Sequence, residues 1–211
     1  MRRARLAALV SLLSYSVLSG DAVGRSASAG ARGNREATIL FVTDAHEIAP
    51  VVDDLGDRGG AARLKTVVDA LKRKGPGALL VFGGDLAGGT LFGGVFKGEP
   101  MVDALGRAGV GLASFGQHDF DFGSAHARSL VARSSFPWIT SNLVSSDGRP
   151  FAGLPTRLLR TVGGLRVGFL GLTSGMETTT PETLALRVVQ RDLVETARSE
   201  AAALKREGAE A

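Results

Sequence analysis

The chain has 211 residues, enough for one domain with a substantial hydrophobic core. Apolar residues make up 44% of the sequence and charged residues 22%, which argues against wholesale disorder. There is no cysteine, which excludes disulfide bonds and thiolate metal sites. The formal net charge is +4, and part of this charge sits at the N-terminus.

The first 29 residues have the pattern of a signal peptide. Three arginines near the start form a basic region, an apolar run of 13 residues follows at 6–18, and Ala27–Ala29 offers a cleavage site. We therefore expect residues 1–29 to be removed and the protein to be secreted, into the extracellular space or the periplasm. The 13-residue run is short for a transmembrane helix, and an uncleaved membrane anchor is the alternative.

Removal of residues 1–29 lowers the formal charge from +4 to +1, because this segment carries four Arg and one Asp. No basic stripe remains in the rest of the sequence, so nucleic acid is not an expected partner. No membrane span is expected after cleavage either.

Three apolar runs rich in β-forming residues predict strands at 37–43, 78–82 and 110–115. Between them, apolar residues at helical spacing predict one helix across Leu64–Leu71 and another across Met101–Ala108. This alternation is typical of an α/β domain with parallel strand pairing in its first half.

The domain is predicted to cover residues 37–211, after a short flexible lead-in at 30–36. Its later part contains a further extended run at 136–143, and then two runs that predict a hairpin turned at Gly163–Gly164. Apolar residues at helical spacing predict a final helix from residue 192 to about 206.

Polar side chains that suit metal binding follow directly after each of the three predicted strands. They are Asp44 and His46 after the first strand, Asp85 after the second, and Gln117, His118 and Asp119 after the third. Because ligands gather at the carboxyl ends of parallel strands, we expect these side chains to meet at one edge of the sheet. Carboxylate, amide and imidazole donors without sulfur suit a hard or borderline divalent cation. Each motif alone is also compatible with an ordinary turn, but their order after three successive strands favours a site.

The segments that carry these residues resemble a known enzyme family. "TILFVTDAHEI", "LLVFGGDLAGG", "GEPMVDALGRAGVGLASFGQHDFDFG" and "FPWITSNLV" look like the secreted 5′-nucleotidase family of calcineurin-like metallophosphoesterases, over about residues 38–175. The resemblance implies an α/β fold, a metallophosphoesterase-type sandwich of mixed β-sheets flanked by helices. It also implies hydrolysis of a phosphate ester, such as a nucleotide, by two divalent metal ions. The ligand types do not distinguish Zn, Mn, Fe and Mg.

The resemblance implies four metal ligands. Asp44 and His46 would bind one ion, Asp85 would bridge both ions, and Gln117 stands where the family usually has an Asn ligand of the second ion. A bridging carboxylate holds two cations about 3.5–4 Å apart, a spacing that suits in-line displacement. A metal-bound water loses its proton near neutral pH, and the resulting metal-bound hydroxide is the expected nucleophile.

Two catalytic residues follow from the same resemblance. His118 matches the histidine that faces the phosphate and stabilises the transition state, and Asp121 matches the acid that orients this histidine. A cationic imidazole offsets charge on phosphoryl oxygens, and an aspartate three residues later can fix its tautomer. Asp119 is assigned no catalytic role.

Two departures from the family pattern lower the expected activity. Gln117 keeps the carbonyl donor but adds a methylene and a rotatable bond, which predicts a shifted or weakened second metal site. The family supplies three further ligands, mostly His, from later segments, whereas the one histidine after His118 is His126, predicted on a helix surface. The sequence therefore resembles the N-terminal part of a catalytic domain, and we expect this chain alone to be weakly active or inactive.

Two alternatives stay open at this point. One is a non-catalytic secreted metal- or nucleotide-binding protein that retains the fold, which Gln117 and the missing histidines favour. The other is a hydrolase of sulfur-linked substrates, as in related enzymes of thiosulfate oxidation, although the "GQHDFD" segment departs from their pattern.

Overall fold

A computed structural model describes residues 35–176 and 188–211 of the chain. The predicted signal peptide at 1–29 and most of the predicted lead-in at 30–36 lie outside the described residues. In the part of the chain that the structure describes, no helix is long and apolar enough to cross a bilayer.

Nine strands and five α-helices occur within these described ranges. The strands are β1 (Ile39–Val42), β2 (Val51–Asp53), β3 (Gly56–Arg58), β4 (Leu79–Phe82), β5 (Val110–Ala113), β6 (Leu143–Ser145), β7 (Arg157–Val162), β8 (Leu165–Leu170) and β9 (Val188–Gln190). The helices are α1 (Ala61–Lys74), α2 (Leu91–Phe96), α3 (Glu99–Ala108), α4 (Ser124–Arg133) and α5 (Leu193–Arg206).

A three-stranded parallel sheet in the order β1-β4-β5 forms the first half of the domain. Because side chains alternate along a strand, Leu40, Leu80 and Phe82 point to one face of this sheet. They belong to one buried cluster with Val68 of α1 and Leu105 of α3. The predicted parallel pairing and the two predicted helices are therefore confirmed, and the carboxyl ends of the strands lie at one edge.

The predicted hairpin and final helix are also present. β7 and β8 pair in antiparallel register on either side of Gly163–Gly164. α5 lies against this hairpin, where Leu204 is close to Gly168. Arg157 Nη1 donates to Glu200 Oε2 at 2.8 Å, which adds a charged link between strand and helix. Both contacts hold α5 against the β7–β8 hairpin.

Two predicted strands are shorter than the sequence indicated. The run at 110–115 ends as β5 at Ala113. The run at 136–143 meets the sheet at one parallel bridge, between Trp138 and Ala113. Ile139 N still donates to Ala113 O at 2.9 Å, but Thr140 N and Ser141 N donate to the carbonyls of Pro155 and Gly171, at 3.0 and 2.7 Å, so the ladder with β5 stops there.

Two short elements had no clear sequence signal. The β2–β3 hairpin is exposed along both strands, so it shows no alternation of apolar and polar residues. α2 contains two glycines in six residues and depends on its cap, where Thr90 Oγ1 accepts a hydrogen bond from Gly93 N at 2.9 Å. Apolar periodicity therefore does not reveal the β2–β3 hairpin, which is exposed, or α2, which depends on a local cap.

An aromatic cluster underlies the segment that carries His118. The ring of Phe115 lies 5.2 Å from Phe120, 4.7 Å from Trp138 and 5.5 Å from Phe151 between centroids. Trp138 is 2% exposed. Because Phe115 and Phe120 flank this segment, the cluster anchors both of its ends.

We expect the Trp138→Phe substitution to lower the free energy of unfolding by about 1–3 kcal/mol. The smaller ring leaves a void between Phe115 and Phe136, and the hydrogen bond from Trp138 Nε1 to Ser134 Oγ at 2.8 Å is lost. Urea unfolding followed by circular dichroism measures the change, since the variant has no tryptophan to report by fluorescence. Wild-type stability in the variant would contradict the importance of this cluster.

Gly84, directly after β4, lets two chain segments touch. Its φ is +105°, and a Cβ at this position would overlap the backbone of Phe115 and Gly116. Only glycine adopts this conformation and leaves this space without strain. The approach brings the loop after β4 against the loop after β5.

We expect Gly84→Ala to lower the free energy of unfolding by about 3–5 kcal/mol, because the backbone has to move to admit the methyl group. Gly94→Ala is the matched control, since Gly94 lies in α2 with open space around its Cα. There the same substitution is expected to stabilise by about 0.5–1 kcal/mol through helix propensity. Equal effects of the two substitutions in urea unfolding would contradict the close approach at Gly84.

Candidate active site

The ends of the three parallel strands are joined by main-chain hydrogen bonds. Gly83 N donates to Val42 O at 2.8 Å, and Ser114 N donates to Phe82 O at 3.0 Å. Asp44 N then donates to Gly84 O at 3.1 Å, just beyond the sheet. The loops that carry the predicted ligands therefore leave the sheet side by side.

Asp44 and Asp85 both have a left-handed backbone, with φ of +56° and +62°. Non-glycine residues rarely adopt this conformation, and such residues concentrate at functional sites. Each of the two follows a strand closely and turns the chain sharply at the sheet edge. The strain therefore falls on two residues that the sequence predicted as metal ligands.

The carboxylate of Asp85 bridges to the next loop. Asp85 Oδ1 accepts a hydrogen bond from His118 N at 2.7 Å. Burial raises the pKa of Asp85, against the opposing effects of this hydrogen bond and of the His118 charge, and the nearby charge of Asp44 raises it further. Asp85 is thus a half-buried acid that faces a second acid and an imidazole.

His118 and Asp121 form a charged pair. Nδ1 of His118 lies 2.9 Å from Oδ2 of Asp121, and the two side chains are 33% and 28% exposed. Burial lowers the pKa of His118, but the hydrogen bond with Asp121 and the negative charges of Asp121 and Asp85 outweigh it, so the net shift is upward. The pair therefore favours a protonated imidazole, and the Nε2 of this ring lies beside the Gln117 amide.

Gln117 lies against the same imidazole. Its Nε2 is 3.4 Å from Nε2 of His118. Two donors do not pair, so with a protonated His118 the amide would present its oxygen to the ring instead. The long side chain thus lies along His118, and its oxygen is directed to the ring and not to a point beside Asp85.

His46 has a free nitrogen inside the site. Its ring lies 6.2 Å from that of His118 between centroids. Nδ1 of His46 is buried and has no hydrogen-bond partner among residues 35–176 and 188–211. Gly89 leaves room for the ring, because a Cβ there would be 2.9 Å from its atoms. A buried imidazole nitrogen without a partner is a common metal ligand.

These residues fit part of a metal centre. Their donors are carboxylate, imidazole and amide groups, and the orphaned nitrogen of His46 lies among them. Within the described ranges, however, no group of three or more His, Asp or Glu side chains is arranged to hold a metal ion. The strand ends bring the donors close together but do not close them into a complete ligand set.

One residue of this segment has a role that the sequence did not reveal. Asp119 is fully buried, and its carboxylate accepts main-chain hydrogen bonds from Gly116 at 2.9 Å and from Leu86 at 2.9 Å. Burial raises the pKa of Asp119 to about 6, against these hydrogen bonds, so the carboxylate is ionised at neutral pH. Asp119 and Asp121 look alike in the sequence, and the 3₁₀ turn at His118–Phe120 decides which of the two points inward.

His126 does not join the other histidines. It lies on α4, where its Nε2 is 2.7 Å from the carbonyl of Lys97 and its ring contacts Phe122 at 5.7 Å. The sequence predicted a histidine on a helix surface, and the structure agrees. This histidine is therefore not one of the predicted ligands, and it offers a control for substitutions at His118.

Comparisons with known proteins agree with this arrangement. A family model described as calcineurin-like phosphoesterase matches residues 37–192. Human 5′-nucleotidase is 30% identical over 159 residues, covering 68% of this chain and 27% of its own length. A snake venom 5′-nucleotidase from Gloydius brevicauda is 30% identical over 156 residues, covering 68% of this chain and 26% of its own length.

The fold has neighbours among solved structures. The crystal structure of a 5′-nucleotidase precursor from Thermus thermophilus superposes with a TM-score of 0.71 at 24% identity, over 82% of this chain and 35% of that chain. The predicted fold class is thereby confirmed.

The chain spans about a quarter of the length of the curated relatives it matches. The match of the family model extends from the start of the domain to the beginning of α5 and includes every predicted site residue. By this match and by its fold, the chain belongs to the calcineurin-like phosphoesterase family.

Proposed function

We propose that this protein hydrolyses phosphate esters with the help of two divalent metal ions, and that its substrate is a nucleotide. The observation that carries the proposal is the chain of contacts from Asp85 through the His118 backbone to the His118–Asp121 pair. These contacts join Asp85, which has a left-handed backbone after β4, to the imidazole of His118 after β5, which Asp121 orients. Family membership supports phosphoester hydrolysis as the reaction.

The metal ligands in this proposal are Asp44, His46, Asp85 and Gln117. When bound, divalent cations supply a water that ionises near neutral pH and neutralise charge on the phosphate. The acids Asp44 and Asp85 repel each other, which contributes to the raised pKa of Asp85. A cation between them would relieve this repulsion, so the residues themselves favour an ion at this place.

His118 acts on the substrate in this proposal. Asp121 holds the proton on Nδ1 and supports the positive charge of the ring. Nε2–H is then directed away from Asp121, and in this proposal a phosphoryl oxygen of the substrate replaces the Gln117 amide as its acceptor. Such a donor stabilises the negative charge that develops as the phosphate ester is cleaved.

The substrate and the location are inferred from the relatives. The matched curated proteins are named 5′-nucleotidases, so a nucleotide is the substrate that we infer for this chain. One of them is a snake venom protein by name, which supports the export predicted from residues 1–29. Extracellular or periplasmic nucleotide breakdown is the resulting role.

The side chain of Gln117 favours a second candidate function. It lies against His118, where its oxygen can accept a hydrogen bond from the protonated ring, and this competition weakens one of the two metal positions. A secreted protein that binds a nucleotide or one metal ion without turnover is compatible with this arrangement. Hydrolysis assays and metal-binding measurements on the same sample separate the two functions.

We expect slow release of phosphate from AMP by the purified chain with Mn²⁺, and loss of this release on addition of EDTA. His118→Asn is expected to lower the rate about 100-fold, because it removes the charged donor to the phosphate. His126→Asn, the matched control on α4, is expected to keep the wild-type rate. A colorimetric phosphate assay gives both rates.

Phosphate release that is insensitive to EDTA, or equal losses in the two histidine variants, would contradict the proposed function. Tight Mn²⁺ binding without any hydrolysis of AMP or of bis(4-nitrophenyl) phosphate would favour the non-catalytic candidate instead.

We expect Gln117→Asn to strengthen Mn²⁺ binding about threefold to tenfold, because a shorter amide loses less rotamer freedom when its oxygen binds a metal ion. Gln117→Leu, which has no oxygen donor, is expected to weaken binding. Isothermal titration calorimetry measures both changes. Identical affinities for the wild type and the two variants would show that residue 117 is not a metal ligand.

A further inference from the structure

The proposed mechanism leaves one buried acid of the site without a role. Asp119 is 0% exposed and lies between His118 and Asp121 in the sequence. Burial of a carboxylate costs free energy unless hydrogen bonds within the protein replace those that it makes with water. Its hydrogen bonds therefore indicate what it does.

The carboxylate of Asp119 joins two loops through main-chain N–H groups. Oδ2 accepts from Gly116 N at 2.9 Å and from Asp85 N at 3.0 Å. Oδ1 accepts from Leu86 N at 2.9 Å and from Ala87 N at 3.4 Å. Three of these donors belong to the loop after β4, and one belongs to the loop after β5, which also carries Asp119 itself.

These hydrogen bonds act on Asp85, which is one of the metal ligands in the proposed function. Asp85 has a left-handed backbone with φ of +62°, a conformation that needs support from its surroundings. Its own N–H and the N–H of the next residue are both held by Asp119. The direction of the Asp85 side chain from this strained backbone therefore depends on Asp119.

One further hydrogen bond joins the two loops in the opposite direction, from the loop after β5 to a carboxylate of the loop after β4. His118 N donates to Asp85 Oδ1 at 2.7 Å. Each loop thus contributes one carboxylate that binds the backbone of the other loop. Together the two aspartates form a reciprocal clasp, Asp85 with Asp119, that fixes the spacing between Asp85 and the His118–Asp121 pair.

We propose that Asp119 is a positioning residue, which sets the direction of the Asp85 carboxylate and the place of His118 for metal binding and phosphate contact. The expected effect of Asp119 on metal binding rests on the proposed function, whereas its effect on the arrangement of the two loops does not. Asp119 itself reaches neither metal nor substrate, because all four of its contacts are to backbone N–H groups within the protein.

The test compares Asp119→Asn with Val68→Ala in the full chain. The amide places an NH₂ group where a carboxylate oxygen accepted hydrogen bonds, so it breaks one side of the clasp. Val68 is a buried residue of α1 that makes none of the clasp hydrogen bonds, so its truncation destabilises the fold without removing a hydrogen bond between the two loops. The two variants thus separate positioning from general stability.

Two measurements are made on each variant. Amide hydrogen exchange by NMR follows His118 N–H, which donates to Asp85 and reports directly on the clasp. Isothermal titration calorimetry with Mn²⁺ measures the metal affinity. We expect Asp119→Asn to weaken Mn²⁺ binding about 10–100-fold and to speed exchange at His118 by more than its global stability accounts for. Val68→Ala is expected to keep the Mn²⁺ affinity and to change exchange only through global stability.

Asp119→Glu provides the conservative rescue, since it retains both carboxylate oxygens. Recovery of both readouts above the level of Asp119→Asn supports positioning, and values equal to those of Asp119→Asn would overturn it. An Asp119→Asn variant that behaves like Val68→Ala in both measurements would also overturn the proposal, because Asp119 would then serve only stability.

The wild type gives an independent check that needs no variant. The amides of Asp85, Leu86, Gly116 and His118 are expected to share one opening free energy in hydrogen exchange, because one clasp closes over all four. Four unrelated opening free energies would overturn the proposal. If the wild type binds no Mn²⁺, the proposed metal centre fails, whereas hydrogen exchange still decides the role of Asp119.

Discussion

The parallel pairing of β1, β4 and β5 is the constraint on which the site depends. Parallel strands end at the same edge, so the residues that follow each strand are brought together whatever their separation in the sequence. Asp44, Asp85 and His118 are separated in the sequence by the helices that connect these strands. The glycine contact at Gly84 and Gly116 then lets two of the loops touch directly.

Charge is distributed unequally at this edge. Four acids gather there, Asp44, Asp85, Asp119 and Asp121, whereas the nearby cationic groups are imidazoles. Each acid is handled differently. Asp119 accepts hydrogen bonds from main-chain N–H groups, and Asp121 pairs with His118. Burial is the main cause of the raised pKa of Asp85, and the nearby charge of Asp44 adds to it. In the proposed function, a divalent cation near Asp44 and Asp85 would supply positive charge at this edge.

The sequence was sufficient to predict the elements whose apolar residues follow a regular spacing. Apolar periodicity predicted the parallel strands, the helices α1 and α3, the β7–β8 hairpin and the final helix, and all of them are present. The same order of strands predicted that Asp85 and His118 would be close, and a hydrogen bond of 2.7 Å joins them. Their roles in metal binding and catalysis stay predictions.

The rest depended on contacts that no local pattern encodes. The run at 136–143 looked like a strand, but the N–H groups of Thr140 and Ser141 donate to two other segments and not to β5. The buried role of Asp119 could not be predicted, because a single 3₁₀ turn sends this acid inward and leaves Asp121 beside His118. The exposed β2–β3 hairpin has no apolar alternation at all. In each case the deciding partner is distant in sequence or is main chain.

Anomalous diffraction from crystals grown with Mn²⁺ tests the central claim most directly, because it locates the ion among the side chains. We expect an anomalous peak within about 2.5 Å of the Asp85 carboxylate, with His46 as a second ligand through an imidazole nitrogen. Ordered Mn²⁺ found only elsewhere on the protein, with Asp85 and His46 free of metal at saturating concentration, would contradict a metal centre at the strand ends.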